Sequence, residues 1–458
     1  EGILHADSAE IELEAGDVLA SGLQFASSGY TVAGDALTLT DAQAIVQVGD
    51  GSAAGAGFAA TIASELAGTA GLVKTDAGTL VLTGANSYTG GTAIDGGTLQ
   101  IGSGGASGSI IGDIDNEGAL VVDRSGALTL DGTISGSGSL TKRGSGTLTL
   151  TGTNSYAGGT TINGGTIQIS NGANLGDVGG TLSLQIGTLQ AGAAFTSARN
   201  ILVGGAGANR IDTQGFDVTL SGIVSDGPNS SFGNFFAKLG SGTLTLTGAN
   251  SYSTRTVLEN GTLALAGAGT IGRGNIIVGA GTVLDISQSD MGARVIQLNR
   301  GPAGTIALGS KILTLGFNNS FSDWSGTITD GGIAGGTGGR VVITGSRGAV
   351  RYLEANSYTG GTTVSAGSFE LFGNGSLYAG GAVAVGAGAA FGIAGLNGPG
   401  TTIGDLSGAG AIALGAKTLT FGTGADTAFS GTISGAGGGL VKTGTGTFTL
   451  TGANNYTG

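Results

Sequence analysis

The sequence contains no cysteine, one histidine, one tryptophan and three prolines in 458 residues. Without thiols there are no disulfides, no thiolate nucleophile and no Cys-ligated zinc. Collagen is excluded despite 99 glycines, because glycine does not fall at every third position and proline is rare. No apolar run approaches the ~20 residues of a membrane-spanning helix. Basic residues are scarce as well, 17 against 30 acids for a net charge of −13, which argues against a nucleic-acid partner. Only 10% of residues are charged while 40% are apolar, with a mean hydropathy of +0.29, so the chain buries a core rather than staying disordered. The first 73 residues hold ten carboxylates and neither Lys nor Arg, the mark of a solvated acidic face. There is no initiator Met and no leader-like segment, and the pattern breaks off at Thr457-Gly458. The expectation is a piece of a longer protein, cut at both ends.

What is present is repetition. GTLVLTGANSYTGGTAIDGGTLQIG begins at Gly78 and GTLTLTGTNSYAGGTTINGGTIQIS at Gly146. GTLTLTGANSYSTRTVLENGTLALA begins at Gly242, and a worn copy, GAVRYLEANSYTGGTTVSAGSFELF, at Gly348. A fifth copy starts at Gly446. In the four longer copies the two Gly-initiated strands start 19 residues apart, as Gly78 and Gly97 do, a fixed return of the kind one turn of a winding chain gives. Within a copy the apolar residues alternate. Leu80 and Leu82 share one face while Thr79, Val81 and Thr83 share the other, so short strands joined by Gly-rich corners are predicted. The only near-helical stretch, 58–66, is short and falls inside the repeat pattern. The fold class is therefore all-β, a solenoid of about 20 stacked rungs. It forms a single continuous domain, 1–458, with repeat modules near 58–102, 130–170, 220–267, 324–373 and 429–458.

A second module precedes each copy, clearest as LDGTISGSGSLTKRG from Leu130 and FSGTISGAGGGLVKTG from Phe429. Phe58, Leu130, Leu220, Trp324 and Phe429 align, each four residues before Ile62, Ile134, Val224, Ile328 and Ile433. That alignment makes Trp324 a packing residue rather than a sugar platform. Lys74, Lys142, Lys238 and Lys442 align four residues before the next strand's Gly, with Thr344 at that place in the worn copy. These lysines are expected to lay their stems over apolar surface with the ammonium in water. The recurring Asn-Ser-Tyr reads as a corner device, with Asn satisfying backbone groups and the Tyr hydroxyl outside.

The string GTLTLTGANSYTGGTTINGGTLQIG, to which these copies approximate, resembles the passenger-associated transport repeat of bacterial autotransporters. Leu19–Leu39 also resembles a segment common in their large passengers. The resemblance implies a right-handed parallel β-helix, exported by type V secretion and displayed at the bacterial cell surface through a C-terminal outer-membrane barrel. The sequence departs from that pattern in showing neither the amphipathic strands of such a barrel nor a signal peptide. Members are often adhesins, aggregation factors or other virulence-associated proteins, and the repeat is thought to assist translocation and folding.

Chemistry-bearing constellations are few. His5, the lone histidine, sits in the acidic N-terminal segment, and no Gly-x-Ser-x-Gly elbow occurs. Asp113 with Asp115 and Asp285 with Asp290 are the nearest paired carboxylates, and neither pair sits beside a basic residue. GTGADTAF at Gly422 occurs once, whereas calcium rolls need their motif in tandem. No catalytic, metal or cofactor site is predicted, so the protein is read as a non-catalytic adhesin or aggregation factor and rigid display rod. The alternatives are an inert stalk or translocation-assisting segment for a missing distal domain, and a polysaccharide-degrading β-helix. The expected partners are a host cell surface, matrix or glycan receptor, or sibling passengers on other bacteria, with membrane contact only through the barrel.

Contact is expected where the copies differ, because insertions at one solenoid corner project from one side. From the module's Ile to the aligned Lys the distance is 8 residues for Ile134 to Lys142 and 9 for Ile433 to Lys442. It is 12 for Ile62 to Lys74, 14 for Val224 to Lys238 and 16 for Ile328 to Thr344. Loops 225–236 and 329–340 are the candidates, with Asp226, Asn229, Phe232, Phe235 and Arg340 as contact residues.

Overall fold

The structure, a computed structural model, describes residues 3–4, 10–14, 16, 18–230, 233–298, 304–316, 322–345 and 349–458. His5 and Phe232 lie outside them. The described chain is a parallel β-solenoid of about 20 turns, with two short 3-10 turns, Ala53–Gly57 and Gly172–Leu175, and no α-helix among the described residues. It forms two compact units, Glu1–Val218 with Asp226–Asn234, and Thr219–Ser225 with Phe235–Gly458.

In the first unit every rung contributes to sheets whose strands are all parallel and separated by about one turn. Ala59–Ile62, Thr79–Leu82, Thr98–Ile101, Ala119–Asp123, Ser139–Arg143, Thr160–Ile162, Leu182–Leu184 and Ile201–Val203 follow one another in a single sheet. In the second unit Ala293–Val295, Ile312–Leu315, Arg340–Ile343, Thr362–Val364 and Val383–Val385 do the same. The alternation in sequence becomes register. Ile62, Leu82, Ile101 and Val122 stand over one another in the core, all fully buried, while Thr79, Val81, Thr98 and Gln100 face outward. A one-residue slip would turn the whole apolar column outward, so the buried face itself fixes the register. Trp324 is buried in strand Ser322–Trp324.

The Asn-Ser-Tyr corner interrupts a strand column, and the Asn side chain carries the ladder across the gap. Asn86 Oδ1 accepts from Leu66 N–H on the rung below (2.8 Å), and its Nδ2 donates to the Ser109 carbonyl on the rung above (2.9 Å). Asn154 spans Ile134 and Asn174 in the same way, at 2.7 and 2.5 Å. Asn250 spans Val224 and Thr270, at 2.7 Å each. A side-chain amide has the same donor and acceptor as a peptide, so it can replace one in a ladder. The Tyr hydroxyl, contrary to expectation, points inward. Tyr88, Tyr156, Tyr252 and Tyr358 are buried, and each hydroxyl pairs with a Thr hydroxyl four residues on, at 2.6–2.8 Å. A buried phenol needs such a partner, and the sequence supplies it as Tyr-x-x-x-Thr.

The lysines are a second correction. Lys74, Lys142 and Lys238 are buried, and their ammonium groups do not reach water. Lys142 stands in the aliphatic column just described, between Val122 and Ile162. The Lys74 ammonium donates to the carbonyls of Thr75 and Asp76 (2.8 Å each) and of Gly96 one rung on (3.2 Å). Lys238 makes the same three bonds, to Leu239, Gly240 and Asn260, and Lys142 bonds Arg143 and Gly144. Carbonyls left over where a strand ends outcompete solvent for the cation, because they are already oriented inward. The second residue after each lysine turns left-handed: Gly144 (φ 63°), Gly240 (φ 77°), Gly444 (φ 69°) and, in the first copy, Asp76 (φ 67°). That turn aims the carbonyls at the ammonium, and it explains the glycine at this place.

Lys142→Met should leave its corner carbonyls unpaired and cost about 1–3 kcal/mol, read as lost amide-exchange protection around residues 139–166. Burial also pushes the Lys74 and Lys142 ammonium groups down to about 8, with Asp76 and Asp123 opposing the shift. Unfolded, both keep their protons to about 10.5, so between these values the unfolded state binds more protons and stability rises with pH. Burial raises the folded Tyr88, Tyr156, Tyr252 and Tyr358 phenols, Tyr156 to about 12, against a usual value of 10. Their contribution is therefore present below pH 10 and lost above it. The urea midpoint should climb from pH 8 to about 10 and then fall, and the lysine 13Cε signals of these two residues should titrate near pH 8.

Candidate contact loops

Register across the ladders changes which copies carry insertions. Ile62 pairs with Leu82 as Leu130 pairs with Leu150, and Leu66 holds the Asn86 amide as Ile134 holds that of Asn154. Leu66, rather than Ile62, is therefore the counterpart of Ile134, and Ile62, rather than Phe58, that of Leu130. The first copy then spans 8 residues from Leu66 to Lys74 and carries no insertion. In the worn copy Ile343 pairs with Val364 as Lys74 pairs with Ile94, so Ile343 rather than Thr344 takes the lysine's place. Two sequence readings were thus shifted, one by four residues and one by a single residue. The segments 225–236 and 329–340 remain as insertions.

The first loop leaves strand Val224–Asp226 with Asp226 exposed. Gly227 N–H and the Ser230 hydroxyl both donate to the Val203 carbonyl, at 2.9 and 3.0 Å. Between them Asn229 is exposed and left-handed (φ 58°), a conformation that Asn tolerates better than most residues. Phe235, expected to be exposed, is half-buried at the start of strand Phe235–Leu239, and the Arg255 guanidinium lies 5.0 Å from its ring centre. Phe236 is fully buried.

The second loop is held by carboxylates. Asp330 accepts from Gly339 N–H (2.9 Å), Gly338 N–H (3.2 Å) and the Thr359 hydroxyl (2.6 Å). Asp285, buried on strand Val283–Ser289, accepts from the Ser287 hydroxyl (2.6 Å) and from Ile333 N–H at the loop tip (2.6 Å). Ser287 Oγ then accepts from Ala334 N–H at 3.0 Å. The glycines at 331, 332, 335, 336 and 338 all have positive φ, which folds the loop back over Asp285 and lifts Ile333 into solvent, 53% exposed. Arg340 follows, exposed at the head of strand Arg340–Ile343, its N–H bonded to the Lys311 carbonyl at 3.0 Å. The latch was missed in the sequence because Asp285 and Ile333 are 48 residues apart and no spacing rule joins them. Asp285→Ala should free the tip, with amide exchange at Ile333 and Ala334 accelerated at least tenfold and roughly 1–3 kcal/mol of local stability lost.

Comparison with known proteins bears on the repeats. The passenger-associated transport repeat family matches residues 72–101, 140–169, 236–265, 353–371 and 440–458. The adhesin BmaC autotransporter of Brucella suis biovar 1 (strain 1330) is 50% identical over 135 residues, 28% of this chain and 4% of that protein. The chain thus matches a small part of that relative's length. No solved structure matches the chain. The matched segments hold the Asn bridges, the buried tyrosines and the corner lysines, and these five segments of the chain are passenger-associated transport repeats, the repeats of autotransporter passengers.

Proposed function

We propose that the chain is part of a passenger domain and a non-catalytic adhesive element displayed at the bacterial surface, in association with the outer membrane. Half-identity to part of a protein named as an adhesin carries the reading. The partners would be a host cell surface, matrix or glycan receptor, or sibling passengers on other bacteria. Contact falls to the two loops, with Asp226, Asn229, Phe232, Phe235 and Arg340 as the candidate residues. The loops differ between copies, whereas the repeat's signature side chains are spent inside the fold. The state of the carboxylates supports the non-catalytic reading. Asp113 is held below its usual value by the Thr133 backbone N–H and hydroxyl, unsuited to a general acid, and Asp285 is committed to its loop.

A stalk or translocation-assisting role is the second reading. It is favoured by the same burial of the Asn, Tyr and Lys that define the repeat, since a scaffold needs nothing more.

Beads coated with the chain should stick to host cells, or clump, several-fold above beads coated with an inert β-helix. Replacing 227–234 and 331–338 by short turns should remove most of that excess. Full adhesion by the loop variants would take the contact away from the loops. No adhesion by the parent chain would overturn the adhesive reading in favour of the stalk, and release of reducing ends from acidic or neutral glycans would overturn the non-catalytic one.

A further inference from the structure

A cleft of about 460 Å³ opens in the second unit, where the Asn250 corner is followed by the 270–273 turn and the 292–296 segment. Ile271 and Ile296 contribute apolar surface, and the exposed side chains of Arg273 and Arg294 flank it. Both arginines are set by backbone. Arg273 N–H donates to the Tyr252 carbonyl at 2.7 Å. Arg294 is the central residue of strand Ala293–Val295, paired with Thr314. Just before that strand Gly292 is left-handed (φ 76°), and a Cβ there would stand 2.1 Å from the Ile312 carbonyl oxygen.

The polar groups of the wall are already used. Asn250 Nδ2 is bonded to the Thr270 carbonyl, and the Thr270 hydroxyl to the Asn250 carbonyl. The two guanidinium groups are not. Among the described residues neither has a hydrogen-bond or ion-pair partner, and Asp290, just before Gly292, pairs with neither. Arg351, by contrast, is locked on Asp323, with Nε 2.6 Å and a terminal nitrogen 3.0 Å from the carboxylate. The cleft also lies where the charge reverses. Residues 238–351 carry nine Lys and Arg against five Asp and Glu, in a chain of net charge −13.

Two unpaired planar forks beside an apolar surface fit a ligand with anionic groups on a rigid, partly apolar ring. Guanidinium pairs bidentately with carboxylate or sulfate, and the C–H face of a sugar packs on aliphatic side chains. The volume lies within the roughly 300–1,000 Å³ of ligand sites. It suits a short run of sugar rings rather than a folded protein, which needs a flat contact of about 800 Å² per partner.

We propose that this cleft binds an anionic saccharide, with Arg273 and Arg294 pairing with its carboxylate or sulfate groups and a ring face resting on Ile271 and Ile296. The proposal deepens the adhesive reading by naming a ligand class. It is tested on the purified chain, so it can fail while bead adhesion succeeds, or the reverse. Calorimetric titration would use a heparin oligosaccharide for sulfate, an oligogalacturonate for carboxylate, maltoheptaose as the neutral sugar, and a single-stranded DNA of equal charge. Binding of one or both acidic sugars is expected, and whichever binds identifies the anionic group. Maltoheptaose should bind at least tenfold more weakly, and so should the DNA.

The double variant R273Q/R294Q should weaken sugar binding at least tenfold while its urea unfolding stays unchanged. R143Q/R210Q, which removes the same charge away from the cleft, should bind as the parent does. Equal weakening by both pairs, equal binding of DNA or maltoheptaose, or no binding of either acidic sugar would overturn the proposal. Should R273Q/R294Q fail to fold, Ile296→Trp fills the cleft with both arginines in place. Undiminished binding by that variant would likewise overturn it.

Discussion

Every rung of a parallel solenoid must pass its backbone hydrogen bonds to the rung above and the rung below, at the corners as well as along the strands. Strands meet this requirement without help, because their peptide groups already point along the stack. Corners do not, since a turning chain points its N–H and C=O groups elsewhere and buried ones left alone are costly. Most of what recurs in this sequence answers that problem. Asn86, Asn154 and Asn250 put a side-chain amide where a peptide is missing. Lys74 and Lys238 draw together three carbonyls that would otherwise face the core unpaired. Each rung therefore depends on its neighbours for polar as well as apolar partners, which couples them more tightly than side-chain stacking alone.

The buried lysines show how far the requirement overrides ordinary preference. A cation among Val and Ile is expensive unless several oxygen atoms are aimed at it. Here the oxygen atoms are a by-product of ending the strand in a left-handed residue. The worn copy loses the lysine but keeps the glycine in sequence. It has Ile343 in the lysine's place, Gly345 two residues on, and five residues before Ala349 where the other copies have four before Thr79, Thr147 and Thr243. An aliphatic side chain suits the column but leaves corner carbonyls to find other partners.

Periodicity made the architecture legible. Period-two alternation gave the strands, the fixed 19-residue return gave the winding, and the alignment of Trp324 with Leu130, Leu220 and Phe429 correctly put it in the core. What escaped was the destination of polar side chains. Lys and Tyr have no inward or outward mark in a sequence, and average behaviour sends both tips to water. Their partners were in view, Thr four residues after each Tyr and Gly two after most of the lysines, but the meaning of those spacings depends on corner geometry. Alignment by similar-looking strings also misplaced Ile62 by one strand, since Phe-x-x-x-Ile resembles Leu-x-x-x-Ile whatever the rung. Contacts such as Ile333 to Asp285 and the meeting of Arg273 with Arg294 arise from stacking distant segments, and no local pattern encodes them.

The amide bridge also bears on how long such a protein lasts. Asparagine before serine is prone to deamidation, in which the following backbone nitrogen attacks the side-chain carbonyl and expels ammonia. A carboxylate in place of Asn86 would set a negative oxygen against the Ser109 carbonyl and break the ladder where it is bridged. The fold guards against this at its source. The attacking nitrogens, those of Ser87, Ser155 and Ser251, are engaged with the carbonyls of Leu66, Ile134 and Val224 at 2.8–2.9 Å, and the asparagines are at most 7% exposed. The corner that makes the amide indispensable also keeps it from ageing.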